Sequence, residues 1–391
     1  MRQTPIAWKN LTHQPARTVV SIGGIAFAIL LMFMQLGFLG AVGDTATKVY
    51  SRLPYDLIVR SPEYLHVYDP RSIPIALEMQ LASLPAVASV KPLNLGVTSW
   101  QNPLNKEFRV VAVVGIDPND SPLQLPELKQ QLHLLQHPEH VIMDRTSRSD
   151  LGPLDQHRFS DADIGRNPSI NDHVATIVGT VEMGTGLAAN GQVITSAEGF
   201  QGYVPGSDPD RTSMLLVHLR DGVEPEAAQQ QLRDHLQRLG GENAFIQVLT
   251  WDQAVQAERT RWYWETPIGI IFAMGVALAV VVGGVICYMV LAADVLAHLP
   301  EYATLKAMGY SNRFLGRVLL SQSALLAAAA LPPALLSALA LYALTSALAG
   351  VSIQMTGERV ALVALLSLVM CSVAGIVALR KLANAEPVNL F

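Results

Sequence analysis

Hydrophobic positions are distributed along this chain in two regimes. In the first they form four apolar runs, at residues 19–42, 267–293, 318–348 and 360–379, and none of the four contains Asp, Glu, Lys or Arg. A helix needs about 20 apolar residues to cross a bilayer, so each run predicts a membrane-spanning helix. In the second regime, residues 44–266, short apolar stretches alternate with turn-forming residues, as in a domain with its own core. Strands are predicted at 56–60, 110–115, 174–181, 214–219 and 245–249. Asp221-Gly222 marks a turn after the fourth of these. Ala227, Leu232, Leu236 and Leu239 then fall at helical spacing, and Gly240-Gly241 ends that helix before the fifth strand. Such a β-α-β unit places at least part of the domain in the α+β class. The stretch 121–209 is richer in Gly, Asp, Asn and Pro and reads as a subdomain inserted into another made of about 50–120 and 210–250.

The expected fold is therefore an α-helical membrane protein with four transmembrane helices plus an α+β extracytoplasmic domain. Its expected order is an amphipathic N-terminal helix within 1–18, a first span at 19–43, the outer domain at 44–266 and a second span at 267–293. A loop at 294–317, a third span at 318–348, a short outer loop at 349–359, a fourth span at 360–379 and a tail at 380–391 complete it. Charge sets the direction of insertion. The N-terminal arm, the 294–317 loop and the tail hold Arg2, Lys9, Arg17, Lys306, Arg313, Arg317, Arg380 and Lys381 against only Asp294, Glu301 and Glu386. Residues 44–266 hold 18 lysines and arginines against 28 aspartates and glutamates. Short loops rich in Lys and Arg stay cytoplasmic, which puts both termini inside and the large acidic domain outside. The first apolar run follows a short basic segment, as in a signal peptide, but it is longer than a signal core, which argues against cleavage.

Local chemistry adds detail. Thr4 and Pro5 suit a helix start, and Ile6, Ala7, Trp8 and Leu11 share a face, so residues 4–11 read as a helix on the inner membrane surface or as a plain basic anchor. Gly23, Gly24, Gly37, Gly40 and Gly43 make the first span a close-packing or dimer face. Gln35 is the main polar group of the span, and a substrate-contacting role for it is the alternative to packing. Trp262, Tyr263 and Trp264 read as an aromatic belt before the second span, where Pro267 argues for a break, and Pro332-Pro333 for a kink in the third. Both cysteines, Cys287 and Cys371, fall inside predicted spans, which excludes a cysteine-based site in the outer domain.

The loop at 294–317 carries the most specific pattern. Pro300 and Glu301 suit a first helical turn, Lys306 a last turn, and Gly309 the position after it. Tyr302, Leu305 and Met308 repeat every third residue. A helix this short is unstable alone and must dock, either on the chain's own helix ends or on a partner.

The stretch Glu301…Leu305-Lys306-Ala307-Met308-Gly309-Tyr310-Ser311 resembles the cytoplasmic coupling helix of the MacB/FtsX-type permease superfamily. Trp8-Lys9-Asn10-Leu11 with Arg17-Thr18 resembles that superfamily's N-terminus. Arg380-Lys381-Leu382 with Glu386-Pro387-Val388 resembles its C-terminus. The likeness spans the whole length and is closest to the DevC-type exporter permeases of cyanobacteria, though weak in the outer domain. It implies a non-catalytic inner-membrane subunit, a homodimer bound to separate ABC ATPase chains that hold the ATP and Mg. It also implies a periplasmic membrane-fusion adaptor, a TolC-like outer-membrane duct, and a membrane lipid, glycolipid or other hydrophobic cargo. The ATPase-coupling residues it implies are Glu301, Tyr302, Leu305, Lys306, Met308 and Gly309. Relatives of FtsX type instead switch a periplasmic partner without moving cargo, which is the alternative reading. No G-x-x-x-x-G-K-[ST] phosphate loop occurs in these residues, so ATP hydrolysis is expected in another chain.

Other candidates carry less. His133, His137 and His140 have a metal-like spacing that Pro138 disturbs. Asp161, Asp163 and Asp172 flank a Gly/Asn-rich loop without the order of a calcium loop. Gly184-Thr185-Gly186 sits in no strand-to-helix nucleotide unit, no G-x-S-x-G elbow presents a nucleophile, and the acidic outer domain offers no basic patch for nucleic acid.

Overall fold

The computed structural model describes residues 15–152, 158–184, 189–297, 308, 312–349 and 353–383. The chain divides into two compact units, one running from Val42 to Trp262 and the other made of the residues up to Ala41 with those from Tyr263 onward.

Nine α-helices are described: α1 (Pro15–Ala46), α2 (Leu77–Ala82), α3 (Pro126–Gln131), α4 (Ala197–Tyr203), α5 (Pro225–Leu239), α6 (Trp251–Trp264), α7 (Pro267–Ala297), α8 (Asn312–Ala349) and α9 (Gly357–Ala383). Parts of α1, α7, α8 and α9 are long and apolar enough to cross a membrane: Thr18–Ala46, Pro267–Ala293, Gly316–Ala347 and Gly357–Ala378. Small residues form part of the core of this bundle. Along α8, Ala327, Ala330, Ala334 and Ala338 are buried while Leu336, Leu339 and Leu344 are exposed. These four alanines let the backbones approach closely, the packing that drives association in a hydrocarbon solvent, beside larger core residues such as Phe33, Leu291 and Leu326. At 38 residues α8 is roughly 57 Å long, far more than the ~30 Å hydrocarbon layer, so the helix extends beyond it. Pro332 and Pro333 lie inside this one helix.

The outer domain is built on twelve strands: β1 (Leu57–Arg60), β2 (Ile73–Pro74), β3 (Val87–Gln101), β4 (Phe108–Ile116), β5 (His140–Asp144), β6 (Ser169–Ile170), β7 (His173–Val174), β8 (Thr176–Val181), β9 (Gly191–Ser196), β10 (Arg211–Thr212), β11 (Met214–Leu219) and β12 (Gln247–Thr250). The main sheet runs β12-β1-β11-β3-β4-β9-β5-β8, and β2 pairs with β10 in a small separate ladder. The predicted β-α-β unit is present as β11, α5 and β12. Its two strands are separated by β1, which runs antiparallel to both.

β3 explains how a domain of this size is held in one sheet. Its first half pairs with β11, ending at Leu93 opposite Met214, and its second half pairs with β4, beginning at Asn94 opposite Gly115. Pleat alternation then sorts the core. One face of the sheet is a single continuous core containing Ile58, Leu216, Leu95, Ala112, Val114, Ile142 and Ile194. The opposite face changes where β3 changes partner. On one side α2 and α5 cover Leu57, Val59, Leu215 and Val217, and on the other α4 packs Phe200 and Tyr203 against Val111, Val113 and Val193. β4, at 108–116, pairs in parallel with β9, and residues from both stretches meet in the common core.

Candidate functional site

The predicted ATPase-docking residues Glu301, Tyr302, Leu305, Lys306 and Gly309 lie outside the described residues, as does the N-terminal amphipathic helix at 4–11. Met308 is described as a turn residue, and its side chain is 63% exposed.

In the membrane unit three of the first-span glycines, Gly24, Gly37 and Gly40, are packing positions, while Gly23 faces open space. A Cβ on Gly37 would collide with the ring of Tyr342, and one on Gly40 with the guanidinium of Arg359. The Tyr342 hydroxyl donates to the backbone carbonyl of Phe33 in α1. Gln35 lies over Gly275 of α7, where a side chain would strike its amide, so its packing partner is inside this chain. Replacing Gly37 with leucine is expected to cost about 1–3 kcal/mol by overpacking, measured as a lowered Tm of the full chain in detergent. Gly23→Ala is the matched control, because nothing lies within 4 Å of a Cβ there.

The outer unit contains a buried polar centre that sequence reasoning missed. Helix α6 turns one face to the domain. Trp251, Ala254 and Val255 pack in the common core, and Glu258 and Trp262 continue the stripe at 1% and 8% exposure. The Glu258 carboxylate accepts three hydrogen bonds, from the Tyr64 hydroxyl at 2.6 Å, the Val67 backbone N–H at 3.2 Å and Trp262 Nε1 at 3.0 Å. Because Tyr64 gives its proton to Glu258, Tyr50 is the donor in the 2.9 Å contact between the two tyrosine hydroxyls. The Arg60 guanidinium stacks 3.8 Å above the Tyr64 ring. One turn along α6 from Glu258, Arg261 donates to the backbone carbonyls of Tyr64 and Leu65.

Burial shapes the electrostatics. It raises the Tyr64 phenol well above its ordinary range, and the neighbouring Tyr50 and Glu258 push it the same way. Tyr50 is pushed up to about 12, first by burial and then by Glu258. Both tyrosines are thereby held as neutral donors. Burial lowers His66, opposed by Glu258 and Asp69, and its Nδ1 accepts the Tyr68 backbone N–H at 3.2 Å. Trp262 thus departs from the expected aromatic belt, since its indole is committed to Glu258, whereas Trp264 is 64% exposed. Helix α6 stops at Trp264 and α7 starts at Pro267, so the predicted break is present. The missed signal was the glutamate itself, spaced at i+4 and i+7 from Ala254 and Trp251 on the buried stripe of α6.

The segment 61–74 that receives these bonds also lines a cavity of about 960 Å³, with Ser61, Glu63, His66 and Arg71 on its side and Phe200, Val204 and Arg211 among the other lining residues.

The weaker candidates have structural roles. Asp163 closes a capping box with Ser160 and accepts from Arg166 Nε at 2.8 Å, and Asp161 accepts from the Thr180 hydroxyl. His140 Nδ1 contacts the Leu134 carbonyl at 2.6 Å, and its ring stands edge-on to His137 with centroids 4.9 Å apart. Gly184 has φ +99° and lies against the Lys48 side chain. Its N–H donates to the buried Asp144 at 2.7 Å. Among the described residues no three His, Cys, Asp or Glu side chains are grouped to hold a metal ion.

The profile of the MacB-like periplasmic core domain matches residues 18–235, and that of the FtsX-like permease C-terminal region matches residues 272–387. No curated protein matches this sequence. Among solved structures the chain is similar to the periplasmic region of MacB from Actinobacillus actinomycetemcomitans, at 12% identity and TM-score 0.36, over 52% of this chain and 92% of that one. It is also similar to the extracellular domain of the noncanonic ABC-type transporter YknZ from Gram-positive bacteria, at 10% identity and TM-score 0.35, over 50% of this chain and 98% of that one.

Proposed function

This chain belongs to the MacB/FtsX-type permease superfamily, and on that premise we propose that it is the membrane subunit of a tripartite ABC exporter powered by a separate ATPase. Membership makes it an ABC transporter-type permease subunit, an inner-membrane protein with four spans and an extracytoplasmic domain. The observation that carries the fuller reading is the joint coverage of both profiles, outer core and C-terminal spans, in residues that hold no phosphate loop. In this reading two copies of the chain pair, and two ATPase chains bind ATP and Mg below them. Glu301, Tyr302, Leu305, Lys306, Met308 and Gly309 form the docking helix. The charges of Glu301 and Lys306 orient the partner, and the apolar stripe of Tyr302, Leu305 and Met308 supplies contact area. Both termini face the cytoplasm. A periplasmic adaptor and an outer-membrane duct continue the path for a lipid, glycolipid or other hydrophobic cargo. The spans hold no array of ionisable residues of the kind that marks ion-coupled carriers, which fits energy delivered from outside the bilayer.

The test is reconstitution of the chain with the ATPase that co-purifies with it, comparing wild type with the double variant Glu301→Ala, Leu305→Ala. Loss of two central docking contacts is expected to weaken the complex about 10-fold or more, with chain-stimulated ATP hydrolysis falling accordingly. Unchanged docking and stimulation would overturn the assignment. The FtsX-like match at 272–387 also supports a second reading, a mechanotransmission subunit that switches a periplasmic partner. A neighbouring gene for an adaptor with long hairpins favours export, and one for a cell-wall hydrolase favours switching.

A further inference from the structure

We infer that residues 61–74 are a strap that ties helix α6 to the wall of the outer-domain cleft, with Glu258 as the positioning residue at its near end. The inference deepens the permease reading and rests on it for its biological purpose, but the strap itself is read from side-chain geometry within the outer unit alone.

At its near end the strap is held by one face of α6. Glu258 accepts from Tyr64 and Val67, and Arg261 donates to the carbonyls of Tyr64 and Leu65. The middle is braced by a bridge between His66 and Asp69, and Arg71 adopts a left-handed φ of 60°, a conformation that persists only where surroundings impose it. At its far end the strap becomes β2, paired with β10 at Ile73–Thr212 and Pro74–Arg211. Arg211 adds two bonds to Ser72, from Nε to the hydroxyl at 2.8 Å and from the guanidinium to the carbonyl at 2.9 Å. Ile75 donates to Asp210 at 2.9 Å.

The far end is where the sheet changes partner. Thr212 donates to the Leu93 carbonyl, and the Ser213 hydroxyl both donates to the Leu95 carbonyl and accepts from the Leu95 N–H. Those contacts bracket the handover in β3 between Leu93 and Asn94. The strap is therefore bonded at both ends, and between them it lines the cleft of about 960 Å³ together with Phe200 and Val204. A displacement of α6, the last element of the outer unit before the second span in the sequence, is passed along the strap to β10 and the β3 handover. The cleft opens or narrows with it. Coupling of this kind is reciprocal: an occupant of the cleft acts back on α6 with the same free energy.

Hydrogen exchange on the full chain in nanodiscs, without any ATPase, tests the strap. Tyr64→Phe and Glu258→Gln weaken only the near end. The expected result is exchange faster by roughly 10-fold or more both in peptides over 64–67 and in peptides over 72–75 and 210–213. Peptides over β5 and β8 are expected to keep their wild-type rates. Arg211→Gln, at the far end, should in turn speed exchange over 64–67. If the near end loosens while the far end keeps its wild-type rate, or if neither moves, the strap is overturned. Because this measurement needs no partner, a failed strap is distinguished from a failed permease assignment, which the ATPase reconstitution reads separately.

Discussion

Glu258→Ala is expected to destabilise the outer domain by about 3–5 kcal/mol, because it takes the shared acceptor from three buried donors. The carboxylate is 1% exposed and is the shared acceptor for Tyr64, Val67 and Trp262. Alanine leaves three donors without that acceptor in a site closed to bulk water, and each such group costs roughly 1–3 kcal/mol. It also leaves the Arg60 guanidinium, itself 6% exposed, without a nearby anion across the Tyr64 ring. For a domain of this size about 2–4 °C of Tm is lost per kcal/mol, so thermal unfolding of the full chain should shift by ~10 °C. A shift below about 2 °C would show that the network is dispensable. The double variant Glu258→Met, Tyr64→Phe removes acceptor and donor together, and it is expected to recover part of the loss because exchanging both partners for apolar groups of similar shape is far less costly than orphaning one.

Trp100→Ala is the second large expected effect, also about 3–5 kcal/mol, and it reports on the other half of the sheet. Trp100 is the largest fully buried side chain among the described residues. It packs edge-on against Phe159, with centroids 6.0 Å apart at 86°, and donates from Nε1 to the Leu151 carbonyl at 3.0 Å. It sits in β3 between Arg109 of β4 and Ile170 of β6, so the cavity left by alanine opens where three strands meet. Limited proteolysis should then cut within 100–170 well before it cuts within β11 or β12. Trp100→Phe keeps an aromatic edge but loses the hydrogen bond and part of the ring volume, an expected loss of about 1–3 kcal/mol, smaller than that of alanine. Equal resistance of the alanine variant and wild type would show that the second half of the sheet does not depend on this core.

The unit β11, α5 and β12 was legible because its periods are local: an apolar strand, a turn at Asp221-Gly222 and a helical stripe follow within forty residues. The strands β3, β5 and β9 were not read from the sequence. β3 changes partner midway, so its burial follows no single alternation. All six residues of β9 are buried, which leaves no period to detect, and β5 has only its first residue partly exposed. Of the first-span glycines, Gly24, Gly37 and Gly40 are packing positions as read, because close backbone approach in a membrane helix needs small residues, whereas Gly23 faces open space. Trp262 was misread, because a tryptophan before an apolar run looks the same whether its indole meets lipid headgroups or a buried glutamate.

The sequence by itself determined that this chain has four membrane-crossing helices and an outer domain of α+β type, since these depend on the length and period of contiguous residues. The family likeness was also carried there, in short motifs at the two ends and in the 294–317 loop. Only the tertiary structure decided that ten of the twelve strands of the outer domain join in one main sheet with a common core, and that Glu258 is the acceptor at the head of a strap reaching the cleft. The reason is separation along the chain. Tyr64 and Glu258 are 194 residues apart, and no local pattern records which distant donor a buried carboxylate will meet until the strands between them have closed.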